Sequence, residues 1–296
     1  MLEKKAAVEW SWSDAPVVLP LAYQPHEWNA IFIAFYIAEY SDSKVYVTHV
    51  LEGEEDHDFE ESLRKEIADL AADLSVKYEF VEVRPKSQPP SVDEIAKALV
   101  ATAEEKNAQA IVMSAHREPL FRERFGRVSD HVGRTARTRV VLVETPHEGV
   151  SIPRNPKHIL VPVLKEQHPD PYIIAAALTS SASVADVEIT AAKIIELPPT
   201  VPLDAVDIVH SLRKEEKEFS YFTSLAIKTL GRFINPKILP VREVGGDVAR
   251  FVRDESIDIM VIFSRRETGF HSFLTKDEYD IVSRSLCVVI VTLPGA

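Results

Sequence analysis

Ile111-Val112-Met113-Ser114 occurs a second time in this sequence, in altered form. The second copy is Val261-Ile262-Phe263-Ser264, and the two serines lie 150 positions apart. The apolar runs Val140–Val143 and Val288–Val291 lie 148 positions apart in the same way. Such regular spacing indicates an internal duplication whose differences in length lie in the connections.

The length of the chain fits two copies of one domain. A chain of 296 residues is long enough for about two domains of roughly 150 residues, each with its own core. The segment from Pro146 to Pro156 contains three prolines and a glycine, which is typical of a linker. We therefore predict a first domain over residues 1–148 and a second over residues 149–296.

Both halves alternate short β-branched runs with helical patterns, which is typical of parallel sheets built from crossover units. The runs are apolar on both faces, as a sheet covered by helices on each side requires. We predict an α/β fold of two tandem doubly wound, Rossmann-like domains, each with a five-stranded, mainly parallel sheet. The predicted strands lie near residues 17–22, 45–51, 79–84, 109–114 and 139–144, and near 158–164, 187–195, 237–242, 258–263 and 287–292.

The helix signals are local and specific. Ser91 and Glu94 have the spacing of a capping box, which satisfies two N–H groups at the start of a helix. The second half has a longer helix over about 203–230, and Gly231 can cap its carboxyl end. The fifth strand of each half is apolar enough to aggregate if it were an exposed edge, so we expect the two to pair across a pseudo-twofold axis.

Composition excludes several classes of function. A net charge of −12 argues against a nucleic-acid or anionic-membrane binder, because both need a basic face. The single cysteine, Cys287, allows no internal disulfide and no cysteine-rich metal site. The longest apolar stretch, Ile31–Ala38, is far shorter than the ~20 residues that span a bilayer. We expect a cytoplasmic protein with no metal, no nucleic acid and no membrane insertion.

The loop after the fourth strand of such a sheet is a natural place for a phosphate, since glycines there expose backbone N–H groups. In the first half this loop begins Ser114-Ala115-His116-Arg117 and ends Gly126-Arg127-Val128-Ser129. Only one glycine remains in it. The segment from Ser114 to Arg139 carries seven arginines against three acidic residues, a local basic patch in an acidic protein.

These residues resemble the universal stress protein family, and the resemblance extends through both halves. Its nucleotide-binding members carry Gly, two residues, Gly, nine residues, and then Gly followed by Ser or Thr. Gly126 and the segment 128–132 match the end of that pattern, whereas Ser114 and Arg117 replace its first two glycines and Arg127 replaces the hydroxyl residue. The family's first strand also ends in an aspartate near the adenosine, and neither copy has a carboxylate at that position.

The second half departs further from the family pattern. Glu267, Lys276 and Asp277 stand at the second glycine, the last glycine and the hydroxyl position. Side chains there fill the space that glycine leaves open, and carboxylates repel a triphosphate. The resemblance therefore implies the family fold with degenerate ATP-binding motifs, and we predict that the second half does not bind ATP.

Two functions remain open at this point. The first is a non-enzymatic regulatory or interaction module of the stress response, without a cofactor, which acts on a protein partner such as a transporter or a metabolic enzyme. The second is a switch that binds ATP, AMP or another phosphate-bearing anion in the first domain, with slow ATP hydrolysis as a weaker variant. The arginines either hold such an anion or form a solvated basic face that pairs with surface acids. Candidate ligands are Ser114, Arg117, Gly126, Arg127 and Ser129. The two domains pair within the chain, and a further homodimer is possible.

Overall fold

The computed structural model describes residues 10–51, 57–115, 127–146, 156–180, 187–198, 200, 209–266 and 274–295. Its strands are β1 (Val17–Leu21), β2 (Val45–Val50), β3 (Tyr78–Val83), β4 (Ala110–Ala115), β5 (Arg139–Glu144), β6 (His158–Val163), β7 (Glu188–Glu196), β8 (Ile234–Val241), β9 (Ile259–Phe263) and β10 (Val288–Leu293). Its helices are α1 (Trp28–Tyr40), α2 (His57–Asp73), α3 (Val92–Glu105), α4 (Arg127–Thr135), α5 (Pro169–Leu178), α6 (Val209–Leu230), α7 (Val244–Asp254) and α8 (Lys276–Arg284). Every predicted strand is present, most within one or two residues.

The strands form one ten-stranded sheet in the order β3-β2-β1-β4-β5-β10-β9-β6-β7-β8. All pairs within a half are parallel, whereas β5 and β10 pair antiparallel, with Val289 opposite Glu144 and Leu293 opposite Val140. The predicted pairing of the two fifth strands is confirmed. The two predicted five-stranded sheets are therefore the two halves of one continuous sheet, whose strand order is the same from either edge.

The apolar core follows the faces of the sheet and is shared by both halves. One cluster contains Val17 and Leu19 from β1 together with Ile159 from β6, and the other contains Val18 and Leu160. Alternate residues of a strand point to opposite faces, so each cluster is one face of the sheet. The strands of each half therefore occupy one end of the sheet, whereas each apolar cluster beneath the helices contains residues of both halves.

The amino-terminal segment of the first half packs on the second half. The indole Nε1–H of Trp12 donates to Asp170 Oδ1 at 3.0 Å, and Asp170 is 1% exposed. Arg139 Nε lies 3.4 Å from the same carboxylate. The Trp10 ring lies 6.0 Å from the Tyr172 ring, measured between centroids. These contacts join the two halves in addition to the pairing of β5 with β10.

The helix ends form as their sequences predict. In α3, the Ser91 and Glu94 side chains make the reciprocal hydrogen bonds of a capping box, with the Ser91 N–H donating to Glu94 at 2.9 Å. Helix α6 ends at Gly231, whose φ of 65° suits glycine and whose N–H donates to the Ile227 carbonyl at 3.0 Å. The predicted start of this helix and the predicted boundary at 148 and 149 lie outside the described residues. Among the described helices, none is both long and apolar enough to cross a membrane.

Candidate functional site

A cavity of about 190 Å³ lies where β1 and β4 end and α4 begins. This is the crevice at the carboxyl ends of the strands where doubly wound folds bind ligands. Most of its wall is apolar, and the polar groups come from four residues. The apolar lining residues are Pro20, Leu21, Ala22, Val50, Ile95, Leu99, Met113 and Val128, and the polar ones are Glu27, Ser114, Arg127 and Ser129.

Three of the five predicted site residues line this first-half cavity. Ser114 reaches it from the end of β4, and Arg127 and Ser129 reach it from the first turn of α4. Unpaired N–H groups and partial positive charge occur at the start of a helix, so this wall favours an anion. Arg117 and Gly126, the other two predicted residues, lie outside the described residues.

A buried carboxylate, Glu27, also lines the cavity, and the sequence analysis missed it. It accepts hydrogen bonds from the backbone N–H groups of Ala22 and Gln24, both at 2.8 Å, and is 6% exposed. Burial raises the pKa of Glu27 to about 7, while these hydrogen bonds and the nearby His49 act in the opposite direction. Although no carboxylate ends the first strand, Glu27 brings one to the cavity from six residues beyond Leu21.

The second half has its own cavity of about 270 Å³ at the ends of β6 and β9. An ion pair between Glu166 and Arg265, two of its lining residues, joins the loops that follow these strands. The start of α8 forms another part of the wall, as the start of α4 does in the first half. The lining residues are Pro162, Leu164, Lys165, Glu166, Phe263, Arg265, Thr275 and Glu278.

In this second cavity the carboxylate of Glu278 occupies the start of α8. Glu278 Oε2 accepts from the Ser264 hydroxyl at 2.9 Å and from the Thr275 N–H at 2.9 Å, and Glu278 is 8% exposed. Ser264 is the counterpart of Ser114, which lines the open cavity of the first half. A carboxylate of the chain itself therefore uses a backbone N–H at the start of α8, the kind of donor that an incoming phosphate would need.

The sequence pattern pointed to other residues for this role. Lys276 and Asp277 open α8 and are not among the cavity's lining residues, and Glu267 lies outside the described residues. The Thr275-x-x-Glu278 spacing of a capping box was the available signal. The prediction that the second half does not bind ATP stays a prediction, now with Glu278 as its main structural reason.

The basic patch divides between structural and candidate ligand roles. Arg134 forms an ion pair with Asp130 at 2.9 Å, and Arg139 lies against Asp170 and the Trp12 ring. Arg127 alone among the described arginines lines the first-half cavity. The remaining arginines are Arg137, which is exposed, and Arg117, Arg122 and Arg124, which lie outside the described residues.

The described part of the chain shows neither a metal-binding cluster nor a reactive thiol. No group of three or more His, Cys, Asp or Glu side chains is arranged there to hold a metal ion. Cys287 is buried, and burial raises the pKa of its thiol to about 12. A thiol with so high a pKa is a poor nucleophile at neutral pH, so Cys287 is a core residue.

A family comparison decides how the first half is classified. Residues 16–144 match the model of the universal stress protein family. The family model thus covers the first half of the chain, and this half is similar to a universal stress protein domain. No curated protein sequence matches the chain significantly.

Solved structures show that the universal stress protein fold extends to the whole chain. A universal stress protein from Archaeoglobus fulgidus DSM 4304 is 15% identical, with a TM-score of 0.60, and the match covers 96% of this chain and 100% of that one. A functionally unknown protein from Pseudomonas aeruginosa PAO1 is 14% identical, with a TM-score of 0.57 and coverage of 95% and 93%. The cytoplasmic domain of a prokaryotic cation chloride cotransporter is 10% identical, with a TM-score of 0.50 and coverage of 96% of each chain.

Proposed function

We propose that this protein is a non-enzymatic regulatory module of the stress response that acts by binding another protein. In this proposal the usual ATP binding of the universal stress protein family is lost. The observation that carries it is the hydrogen-bonded Glu278 carboxylate at the start of α8, in the place that an anion would take in the second half.

The first-half cavity supports the same proposal on different grounds. Its wall contains the Glu27 carboxylate, which repels an anion whenever it is ionised. Its volume of about 190 Å³ is below the roughly 300–1,000 Å³ of pockets that hold drug-sized ligands. A complete triphosphate nucleotide would have to extend beyond this cavity.

The protein partner belongs to the proposal as well. The whole chain has the fold of a transporter's cytoplasmic domain, at low identity, so the fold is compatible with action on a transporter. A metabolic enzyme is the other class of partner that we consider. The proposed setting is the cytoplasm.

Calorimetric and thermal-shift titrations with ATP, ADP, AMP and inorganic phosphate test the proposal. A ligand at 100 times its dissociation constant adds about 2.7 kcal/mol of stability. We expect no stabilisation by ATP at millimolar concentrations and no release of phosphate from it. Saturable binding of ATP would overturn the proposal.

The alternative function is an anion or nucleotide switch in the first domain. It is favoured by one arrangement: Arg127 and Ser129 at the start of α4 face the same cavity as Ser114. If phosphate or AMP stabilises the protein, the double variant Arg117→Ala/Arg127→Ala should weaken that binding by well over tenfold, since charge-assisted hydrogen bonds contribute about 1.5–3 kcal/mol each. An unchanged response would assign both arginines to the solvated surface.

A further inference from the structure

The two edges of the ten-stranded sheet are β3 in the first half and β8 in the second. The outer side of an edge strand presents backbone N–H and C=O groups that can pair with another chain. Proteins protect such edges by several devices, of which proline is one. The sequences of these two edges differ in this respect.

In β8 the outer side is closed by prolines. The Val241 carbonyl accepts the Leu197 N–H at 2.9 Å, which fixes the odd-numbered residues of β8 as those that bond to β7. Pro236 and Pro240 therefore lie at positions whose backbone groups face outward. Since proline has no N–H, two donors are missing from the outer side, and a further strand cannot form a regular ladder there.

In β3 no proline closes the outer side. The carbonyls of Lys77 and Val83 accept N–H groups from β2 and the residue after it at 2.9 and 3.1 Å, so odd-numbered residues bond inward. The backbone groups of Tyr78, Phe80 and Glu82 then face outward, and none of these residues is proline. No residue of β3 is buried, and no strand in the described part of the chain lies beyond it.

The middle of this edge is acidic. Glu79 and Glu82 have side chains that are 51% and 53% exposed. Their cationic partners lie further in: Lys44 precedes β2, and Arg64 belongs to α2. A strand added beyond β3 would meet the two carboxylates first, one on each face, because residues 79 and 82 differ in parity.

We propose that β3 is a docking edge for an extended segment of a protein partner that carries one basic residue on each face, opposite Glu79 and Glu82. Main-chain hydrogen bonds to Tyr78, Phe80 and Glu82 would supply affinity, and the charges would supply selectivity. This inference rests on the proposed interaction function and specifies its surface. A second copy of the chain fits less well, because it brings two more glutamates and a net charge of −12.

The test uses two capped synthetic peptides and the full-length protein. One peptide has the β3 sequence with both glutamates replaced by lysine, and the other has the unchanged β3 sequence. Hydrogen exchange followed by NMR reports each amide separately. We expect the amides of Tyr78, Phe80 and Glu82 to exchange fast in the free protein and to become protected by the lysine peptide, which should bind at least tenfold more tightly than the acidic one at low salt.

Matched variants separate the backbone contribution from the charge. Glu82→Pro removes the outward N–H in the way β8 does and should abolish binding of the lysine peptide. Glu82→Gln keeps the N–H and should weaken binding only a few-fold. If Glu82→Pro fails to fold, the lysine peptide N-methylated at alternate residues gives the same test on the unaltered protein, and it should not bind.

Three results would overturn the inference. The outward amides could stay unprotected at saturating lysine peptide, Glu82→Pro could bind as well as the unaltered protein, or sedimentation could show that the protein dimerises through this edge. Any of these would leave the proposed interaction function standing on another surface. Saturable ATP binding would instead refute the proposed function while the peptide result stood.

Discussion

Glu27 is a carboxylate held where burial opposes its charge. Its pKa is raised to about 7, so the folded state holds this proton more tightly than the unfolded state does. Between about pH 4.5 and 7 the unfolded chain loses the proton first, and the free energy of unfolding falls as pH rises. Above pH 7 the carboxylate is ionised in both states, and the loss is complete.

The variant Glu27→Gln should remove this pH dependence. Relative to the variant, the unaltered protein should lose about 2–3 kcal/mol of stability between pH 5 and pH 8, because one pKa unit corresponds to about 1.4 kcal/mol. Urea denaturation of both proteins at several pH values measures the difference, in which other titrating groups cancel. Parallel stability curves would show that Glu27 does not titrate in this range.

The sequence predicted the cavity's position better than its charges. Ser114, Arg127 and Ser129 could be placed because they lie at the ends of elements that meet at one edge of a parallel sheet. Glu27 and Glu278 could not, because a capping box predicts a local hydrogen bond and not which cavity its carboxylate enters. That depends on how the first turn of each helix packs against a neighbouring strand.

At the scale of elements, α7 and α8 each begin with a glutamate carboxylate that accepts a backbone N–H, in different surroundings. Glu278 accepts the N–H of the cap residue Thr275 at 2.9 Å and lines the second cavity, whereas Glu243 accepts the Gly246 N–H at 2.7 Å at the start of α7 and is about half exposed. Removing either carboxylate should destabilise the protein by about 1 kcal/mol, the usual contribution of a hydrogen bond at the start of a helix. Only one of the two removals would uncover an anion site.

Glu278→Ala should therefore gain stabilisation by sulfate or phosphate, and Glu243→Ala should not. The reason is that Glu278→Ala removes the carboxylate that accepts from the Thr275 N–H and from the buried Ser264 hydroxyl, and Thr275 lines the cavity. Thermal-shift titration of both variants and the unaltered protein makes the comparison. Equal responses in the two variants would show that Glu278 does not act as an internal anion.

Element boundaries followed from the sequence wherever the chain carries a local signal. The Ser91 capping box and Gly231 fixed two helix ends, and the apolar runs fixed the inner strands. The edge strand β8 was predicted less well, starting near residue 237 in place of Ile234. The missed start is where Asn235 and Pro236 interrupt the apolar run of this strand.

At the scale of the whole molecule, Trp10 and Trp12 of the first half pack against the second half. Trp12 donates its indole N–H to the buried Asp170, whereas the Trp10 Nε1 has no hydrogen-bond partner among the described residues. Both indole rings are buried. The pair therefore allows the hydrogen bond between the halves to be separated from aromatic packing.

Trp12→Phe should destabilise the protein by about 1–3 kcal/mol more than Trp10→Phe does. The former leaves a buried carboxylate without one of its donors, and the latter loses ring volume alone. Urea unfolding followed by far-UV circular dichroism gives both values, and each variant should unfold in a single transition because the core clusters span both halves. Equal losses would assign the contribution of Trp12 to packing.

The β5–β10 seam was predictable because two apolar terminal strands need cover, but the shared core was not. The sequence shows two copies and gives no sign that α1 and α5 contact each other across the sheet's centre. Contacts between copies depend on the angle at which the halves meet. A repeat pattern carries no information about that angle.

The seam has a genetic consequence. When two identical subunits assemble, a mutation changes both of their sites at once. Here the two halves of the sheet are encoded separately within one gene, so a substitution at Glu278 in the second cavity leaves the residues of the first cavity unchanged. The fused arrangement lets selection change one cavity without the other, and every molecule then contains one cavity of each kind.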